Sequence, residues 1–208
     1  MPATCADKLS TNPSLNSLDR KQAIVLGIPR GGVIIPDIVA RKLSADFGVA
    51  IGRKLESPEN PELAIGAIME DSTTYTNEYN IKASKLSDDD VLHEKARQLA
   101  EIRHRTALYP KKRDYTLRDR IVILTDDGIA TGATIIASAR WIRRQRSNYL
   151  VIAVPVAPPQ TVVVLRHEVD AVDVILSPDA LNSVGQFYEN FEPIIDDEVR
   201  KILDREHL

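Results

Sequence analysis

Cysteine is nearly missing from this chain: Cys5 is the single thiol in 208 residues. One cysteine cannot close an intramolecular disulfide or build a cysteine-rich metal site. An excess of one charge is missing too. With 27 Lys and Arg against 30 Asp and Glu, the net charge of -3 gives no general electrostatic case for nucleic acid. No apolar run approaches the length of a membrane span. Residues 1–20 lack the basic and apolar regions of a secretory leader, so a cytosolic chain is expected. There is no internal repeat and no low-complexity tract. Neither a Gly-Lys-Ser/Thr phosphate loop nor a Gly-x-Gly-x-x-Gly dinucleotide fingerprint occurs.

What is present suits one soluble α/β domain with an elaboration: 43% hydrophobic and 27% charged residues. Residues 1–21, rich in Ser, Asn, Pro and Asp, read as a poorly ordered lead-in to a domain over 22–208. Strands are predicted at Ala23–Gly27, Phe47–Ile51, Ala64–Met69, Ile121–Leu124, Leu150–Val154 and Ala171–Leu176. Helices are predicted at Val33–Leu43, from Ser87 to about Leu108 with Val91, Leu92, Leu99 and Ile102 buried, at Ala133–Gln145, at Thr161–His167, and after Asp196. Alternation of this kind implies a mostly parallel central sheet flanked by helices, with right-handed crossovers.

The richest stretch is Ile121–Thr134, Ile-Val-Ile-Leu-Thr-Asp-Asp-Gly-Ile-Ala-Thr-Gly-Ala-Thr. A buried strand stops at two carboxylates, Asp126 and Asp127, where open α/β sheets bind ligands. Thr131, Gly132, Ala133 and Thr134 then offer backbone N–H groups and two hydroxyls at a helix N-terminus, which suits a phosphate. Acids beside an anion cradle fit one ligand that carries both partners, a ribose 5-phosphate. A plain strand-to-helix turn with one capping acid would not need the Thr-Gly-x-Thr run.

Two further segments stand at strand ends. Ile28-Pro29-Arg30-Gly31-Gly32 supplies glycine amides for an anion nest and the always-charged fork of Arg30. Arg53-Lys54 follows the second strand. Leu55–Glu62 after it is punctuated by Pro58, Asn60 and Pro61, as a mobile flap would be, although a solvated basic pair is the plainer alternative.

These segments, with Asn60–Ala67, Ala153–Pro159 and Val184-Gly185-Gln186-Phe187-Tyr188 in the same order, resemble the type I phosphoribosyltransferases. They are most similar to a widespread microbial subfamily known only as predicted phosphoribosyltransferases. The resemblance covers about residues 22–205, and the N-terminus is short against a pattern that usually carries a leading helix. It implies a type I phosphoribosyltransferase-like fold with a small hood at about 177–195. It also implies binding of phosphoribosyl pyrophosphate (PRPP) with Mg²⁺ held mainly through that ligand, and transfer of the phosphoribosyl group to a nitrogenous acceptor such as a nucleobase. The other class it allows is a PRPP-sensing regulator without turnover. A small-molecule acceptor, no nucleic acid and no membrane are the partners implied, and a homodimer is one assembly it allows.

By the same resemblance, Asp126 and Asp127 would hold the ribose hydroxyls. Thr131, Gly132, Ala133 and Thr134 would hold the 5-phosphate, Arg30, Gly31, Gly32, Arg53 and Lys54 the pyrophosphate, and Gly128 and Ala130 would complete the PRPP site. Backbone strain is expected between Arg30 and Gly32. Ala130 stands where the 6-oxopurine transferases carry an acid, which disfavours a hypoxanthine-guanine mechanism. Glu70 or Asp71 is then the candidate general base. Phe187 and Tyr188 either pack in the hood or stack on the acceptor. The isolated histidines make no metal pair, Trp141 should pack its helix on the sheet, and the arginines from 140 to 146 suit a helix C-terminus.

Overall fold

The computed structural model describes residues 2–29, 32–108, 115–181, 183–189, 191 and 196–204. Five strands form its central sheet: β1 (Ala23–Gly27), β2 (Asp46–Val49), β6 (Ile121–Thr125), β7 (Tyr149–Val156) and β8 (Ala171–Leu176). They lie in the order β2-β1-β6-β7-β8, with every neighbouring pair parallel. Helix α3 (Ile34–Leu43) crosses from β1 to β2, α6 (Ala133–Arg144) from β6 to β7, and α7 (Pro159–Leu165) from β7 to β8. The chain moves outward in opposite directions from β1 and from β6. Their junction is therefore the topological switch point, where the ends of two loops part and leave a crevice.

Strand alternation explains the unbroken apolar runs. Val25, Ile123, Val151 and Ala153 face one core layer, which includes Val39 and Leu43 of α3. Ile24, Leu26, Val122, Leu124, Ile152 and Val154 face the other, which includes Ile136, Trp141 and Ile142 of α6. Both faces are covered, so both parities must be apolar.

A separate antiparallel sheet contains β3 (Gly52–Ser57), β4 (Asn60–Met69) and β5 (Thr74–Thr76), in that order. Here the segment 55–62, expected as a flap, forms a β-hairpin whose turn is Pro58-Glu59, with Leu55 and Ser57 buried. Pro61 is tolerated because the β3–β4 register jumps from Glu56↔Ala64 to Ser57↔Asn60, which leaves Pro61 outside the ladder. The short strand β5 and the helix α4 (Glu78–Ala83) that follows it were not anticipated.

Helix α5 (Asp88–Leu108) begins with a reciprocal cap: the Asp90 N–H donates to Ser87 Oγ (3.2 Å) and the Ser87 N–H to Asp90 Oδ2 (2.9 Å). Val91 and Ile102 are buried as expected, but Leu92 is 59% exposed. The inward stripe runs Val91, Glu94, Gln98 and Ile102, so two polar residues occupy core positions and Leu92 turns to solvent.

The lead-in is corrected as well. Residues Pro2–Ser10 form α1 and Pro13–Asn16 form α2, with Ala6, Leu9 and Leu15 buried in the core layer shared with α3. The Asn and Pro that suggested disorder are cap chemistry: Asn12 Oδ1 accepts from the Ser14 N–H (3.1 Å), and Pro13 occupies the first helical turn. Helix α8 (Asp196–Leu203) closes the fold on Val199, Ile202 and Leu203.

Candidate functional site

The crevice at the β1/β6 junction opens into a cavity of about 200 Å³ lined by Lys54, Asp126, Asp127, Val184 and the loop from Gly128 through Thr134 into α6. Beyond the end of β6, the two carboxylates can no longer sit in the apolar layers and turn into the crevice, half-buried. The Asp127 N–H donates to Asp126 Oδ1 (2.9 Å), which fixes the first carboxylate. Gly32, past the end of β1, lies directly against it: a Cβ there would fall 2.0 Å from Asp126 Oδ1. Only a glycine lets the two loops meet this closely.

Burial, then the neighbouring Asp127 charge, raises the Asp126 carboxyl far above the usual carboxylate range. Burial likewise raises Asp127, to about 6, against backbone N–H donors and the Lys54 charge, which lower it. Two acids thus share one small site with an ammonium group as their nearby cation. Such a pair favours ligands that bring hydroxyl donors or positive charge.

The loop after the pair is tied down from behind. The Ile129 N–H donates to the Val156 carbonyl (2.8 Å) at the end of β7, and Thr161 Oγ1 of α7 donates to the Ala130 carbonyl (2.9 Å). Gly132 then takes φ of 78°, a left-handed conformation, and N-caps α6 with no side-chain hydrogen bond. The first-turn amides of α6 are therefore not claimed by a capping side chain and face the cavity, an arrangement suited to an anion.

The expected site residues divide into groups. Lys54, Asp126, Asp127, Gly128, Ala130, Thr131, Gly132, Ala133 and Thr134 come together around one cavity, and Gly32 abuts it. Arg30 and Gly31 lie outside the described residues, as does the backbone strain expected there. Arg53 leaves the group. It lies on β3 rather than after β2, its side chain points away from that of Lys54, and its Nε donates to Gln98 Oε1 of α5 (2.8 Å). Glu70 and Asp71 line a different cavity of about 350 Å³, with Tyr115, Trp141 and Gln145.

Phe187 is half-buried beside the α1–α3 core layer, and Tyr188 is 8% exposed within it. The Tyr188 hydroxyl donates a short hydrogen bond to the Asp127 carbonyl, and its ring packs against Phe191 at 5.3 Å between centroids. Burial drives the phenol well above its ordinary range, so it remains a donor. Of the two readings, packing describes Tyr188, which braces the loop instead of offering a stacking face. Val184, Ile129 and Ile135 line the cavity and Thr161 ties its loop, and none of the four was anticipated. Val184 stands in the same Val-Gly-Gln-Phe-Tyr stretch, but an aliphatic side chain carries no chemical signal of its own.

Other charged residues are accounted for locally. Arg140 pairs with Glu168 (2.6 Å) and lies over the Tyr75 ring, and Arg143 pairs with Asp170 (2.8 Å). Among the described residues no group of three or more His, Cys, Asp and Glu is arranged to hold a metal, and no helix is long and apolar enough to cross a membrane.

Comparison with known proteins agrees with this fold. The chain is 38% identical over 194 residues to a Mycobacterium tuberculosis protein named "putative phosphoribosyl transferase", in each of two strains. That alignment covers 93% of this chain but 44% of the relative, so the chain spans less than half the length of the curated proteins it matches. The crystal structure of TT1426 from Thermus thermophilus is 33% identical, with a TM-score of 0.79 over 97% of this chain and 95% of that one. A family model described as the phosphoribosyl transferase domain matches residues 6–191, from α1 through the Tyr188 loop. The chain belongs to the phosphoribosyl transferase domain family.

Proposed function

We propose that the protein binds PRPP with Mg²⁺ and transfers its 5-phosphoribosyl group to a nitrogenous acceptor, releasing pyrophosphate. One observation carries this reading: a single cavity unites a half-buried carboxylate pair, the N-terminus of α6 and the Lys54 ammonium. PRPP matches them in turn with vicinal ribose hydroxyls, a 5-phosphate and a pyrophosphate. Asp126 and Asp127 accept from the hydroxyls and lay negative charge beside the ring as it gains oxocarbenium character. The 5-phosphate on the Thr131–Thr134 amides anchors the sugar away from the reacting carbon, so that binding energy is used for orientation. Lys54 meets the leaving pyrophosphate, and Arg30 is proposed to join it.

The donor set fits Mg²⁺ in a particular way. Among the described residues, two hard carboxylates with one neighbouring ammonium are too few for a protein cage, and suit an ion carried by phosphate and water oxygens. Mg²⁺ held so would neutralise the charge of the leaving group. For the acceptor, Ala130 supplies no proton-handling group, and Glu70 and Asp71 line another cavity. The acceptor is thus read as one whose nitrogen attacks without an acid from this loop, which disfavours a hypoxanthine-guanine mechanism.

The test is pyrophosphate release from PRPP and Mg²⁺ across a panel of nucleobases and amines. At least one acceptor should give release that Asp126→Asn with Asp127→Asn abolishes. PRPP binding with no release for any acceptor would make the protein a PRPP-sensing regulator. Absence of both binding and release would refute the reading.

A further inference from the structure

Neighbouring residues on a strand point to opposite faces, so the register of β3 decides whether Arg53 or Lys54 faces the carboxylate pair. In the structure Lys54 lines the cavity and Arg53 points to α5. A slip of one residue would exchange them. The hairpin's own ladder is poorly suited to prevent this, because it is broken just beyond these residues. Leu55 pairs with Gly66 but Glu56 with Ala64, which leaves Ile65 as an extra residue on β4.

The backbone groups at this bulge find partners on two helices and on the segment before α4. The Glu56 N–H donates to Glu94 Oε1 of α5 (3.0 Å). The Ile65 carbonyl accepts from the Asn77 N–H (2.8 Å), and the Ala64 carbonyl from Asn80 Nδ2 of α4 (2.7 Å). On α5, Gln98 is fully buried and Glu94 nearly so. Gln98 Nε2 donates to Glu94 Oε1 (2.8 Å) while its Oε1 accepts from Arg53 (2.8 Å), and Arg97 Nε donates to Glu94 Oε2 (2.7 Å). The amide of Gln98 can meet both partners only with a donor toward Glu94 and an acceptor toward Arg53. Arg53 donates through Nε of a planar group with fixed N–H directions, where a lysine ammonium would be a rotating point donor at the end of its stem.

We infer that Glu94, Gln98 and Arg53 are positioning residues for the pyrophosphate side of the site: they lock the β3 bulge onto α5 so that Lys54, and not Arg53, meets the leaving group. The inference rests on the PRPP reading and deepens it, since it assigns Arg53 an indirect role through Lys54.

Double-mutant cycles with two probes test it: pyrophosphate with Mg²⁺, and ribose 5-phosphate, both by calorimetry. Lys54→Ala should weaken pyrophosphate by about tenfold or more, the scale of one charge-assisted contact, and ribose 5-phosphate by about twofold or less. Gln98→Leu and Arg53→Met should each show the same split. Combined with Lys54→Ala, neither should add to its loss, because the residues act through Lys54. Additive losses for Arg53→Met with Lys54→Ala would mean that Arg53 touches the ligand itself, and would overturn the inference. Equal losses for both probes, or none for either, would overturn it as well. Arg53→Met leaves the helix face filled, so it carries the test if Gln98→Leu does not fold. If wild-type protein binds neither probe, the PRPP reading has failed; if it binds both and the cycles are additive, the positioning role alone has failed.

Discussion

The parallel sheet and the antiparallel sheet treat buried polar groups in opposite ways. In the parallel sheet the central strands β1, β6 and β7 are almost wholly apolar on both faces, and two carboxylates stand together beyond the end of β6. Asp126 and Asp127 there repel each other, and just before them Thr125 Oγ1 is buried with no partner among the described residues. In the antiparallel sheet a carboxylate is drawn into the packing, where Glu94 accepts from Arg97, Gln98 and the Glu56 N–H. One region leaves polar groups lining a cavity, and the other uses them to fix geometry. Stability has been given up at the first and gained at the second, so removing a carboxylate should have opposite signs in the two places.

The largest effect is expected at α5. Glu94→Ala would strand Gln98 and the Glu56 N–H and should lower the unfolding free energy by about 3 kcal/mol, measured by denaturant titration. Burial alone would raise the Glu94 carboxyl, yet the bonds from Arg97, Glu56 and Gln98 bring it below its usual value. Its contribution is thus present above the unfolded value near ~4.3 and lost as pH falls through the lower folded one.

At the carboxylate pair the sign reverses. Asp127, raised to about 6, binds its proton more tightly folded than unfolded. Its contribution is full below the unfolded value near ~3.9 and is lost as pH rises through about 6. Asp126→Asn with Asp127→Asn should therefore stabilise the ligand-free protein at pH ~8, on the order of 2 kcal/mol, with the gain fading by pH ~4. Thermal melts across this range check it, and a destabilised variant at high pH would break the comparison.

Smaller changes sharpen it. Gly132→Ala forces a side chain into φ of 78° and should cost about 1–2 kcal/mol, while weakening ribose 5-phosphate through a displaced amide. Tyr188→Phe removes the hydroxyl that holds the Asp127 carbonyl. It should cost about 1 kcal/mol in chemical denaturation, with a several-fold loss of PRPP affinity and the ring packing retained.

The same contrast explains what could be read from sequence. The strands of the parallel sheet are apolar runs ended by loop signals, and the Asp-Asp-Gly-Ile-Ala-Thr-Gly loop states its chemistry in adjacent residues. Lys54 was legible as a cation near a strand end. Its separation from Arg53 was not, because it depends on β3 register against a helix about forty residues further on. Glu94 and Gln98 carry no sequence signal of their role, since their partners Glu56 and Arg53 come from a distant strand. Pro and Asn content makes the hairpin read as a loop, and with Ser and Asp makes residues 1–21 read as disorder. In both cases the burial that decides the structure comes from tertiary contacts.

Calorimetric titration of PRPP with Mg²⁺ into wild-type protein and into the Asp126→Asn/Asp127→Asn variant tests the central assignment most directly. Saturable binding to the wild type, weakened by about a hundredfold or more when the ribose hydroxyls lose both charged acceptors, is the predicted result. Equal affinity for the two proteins would contradict the account, because PRPP would then bind without the carboxylate pair on which the site is built.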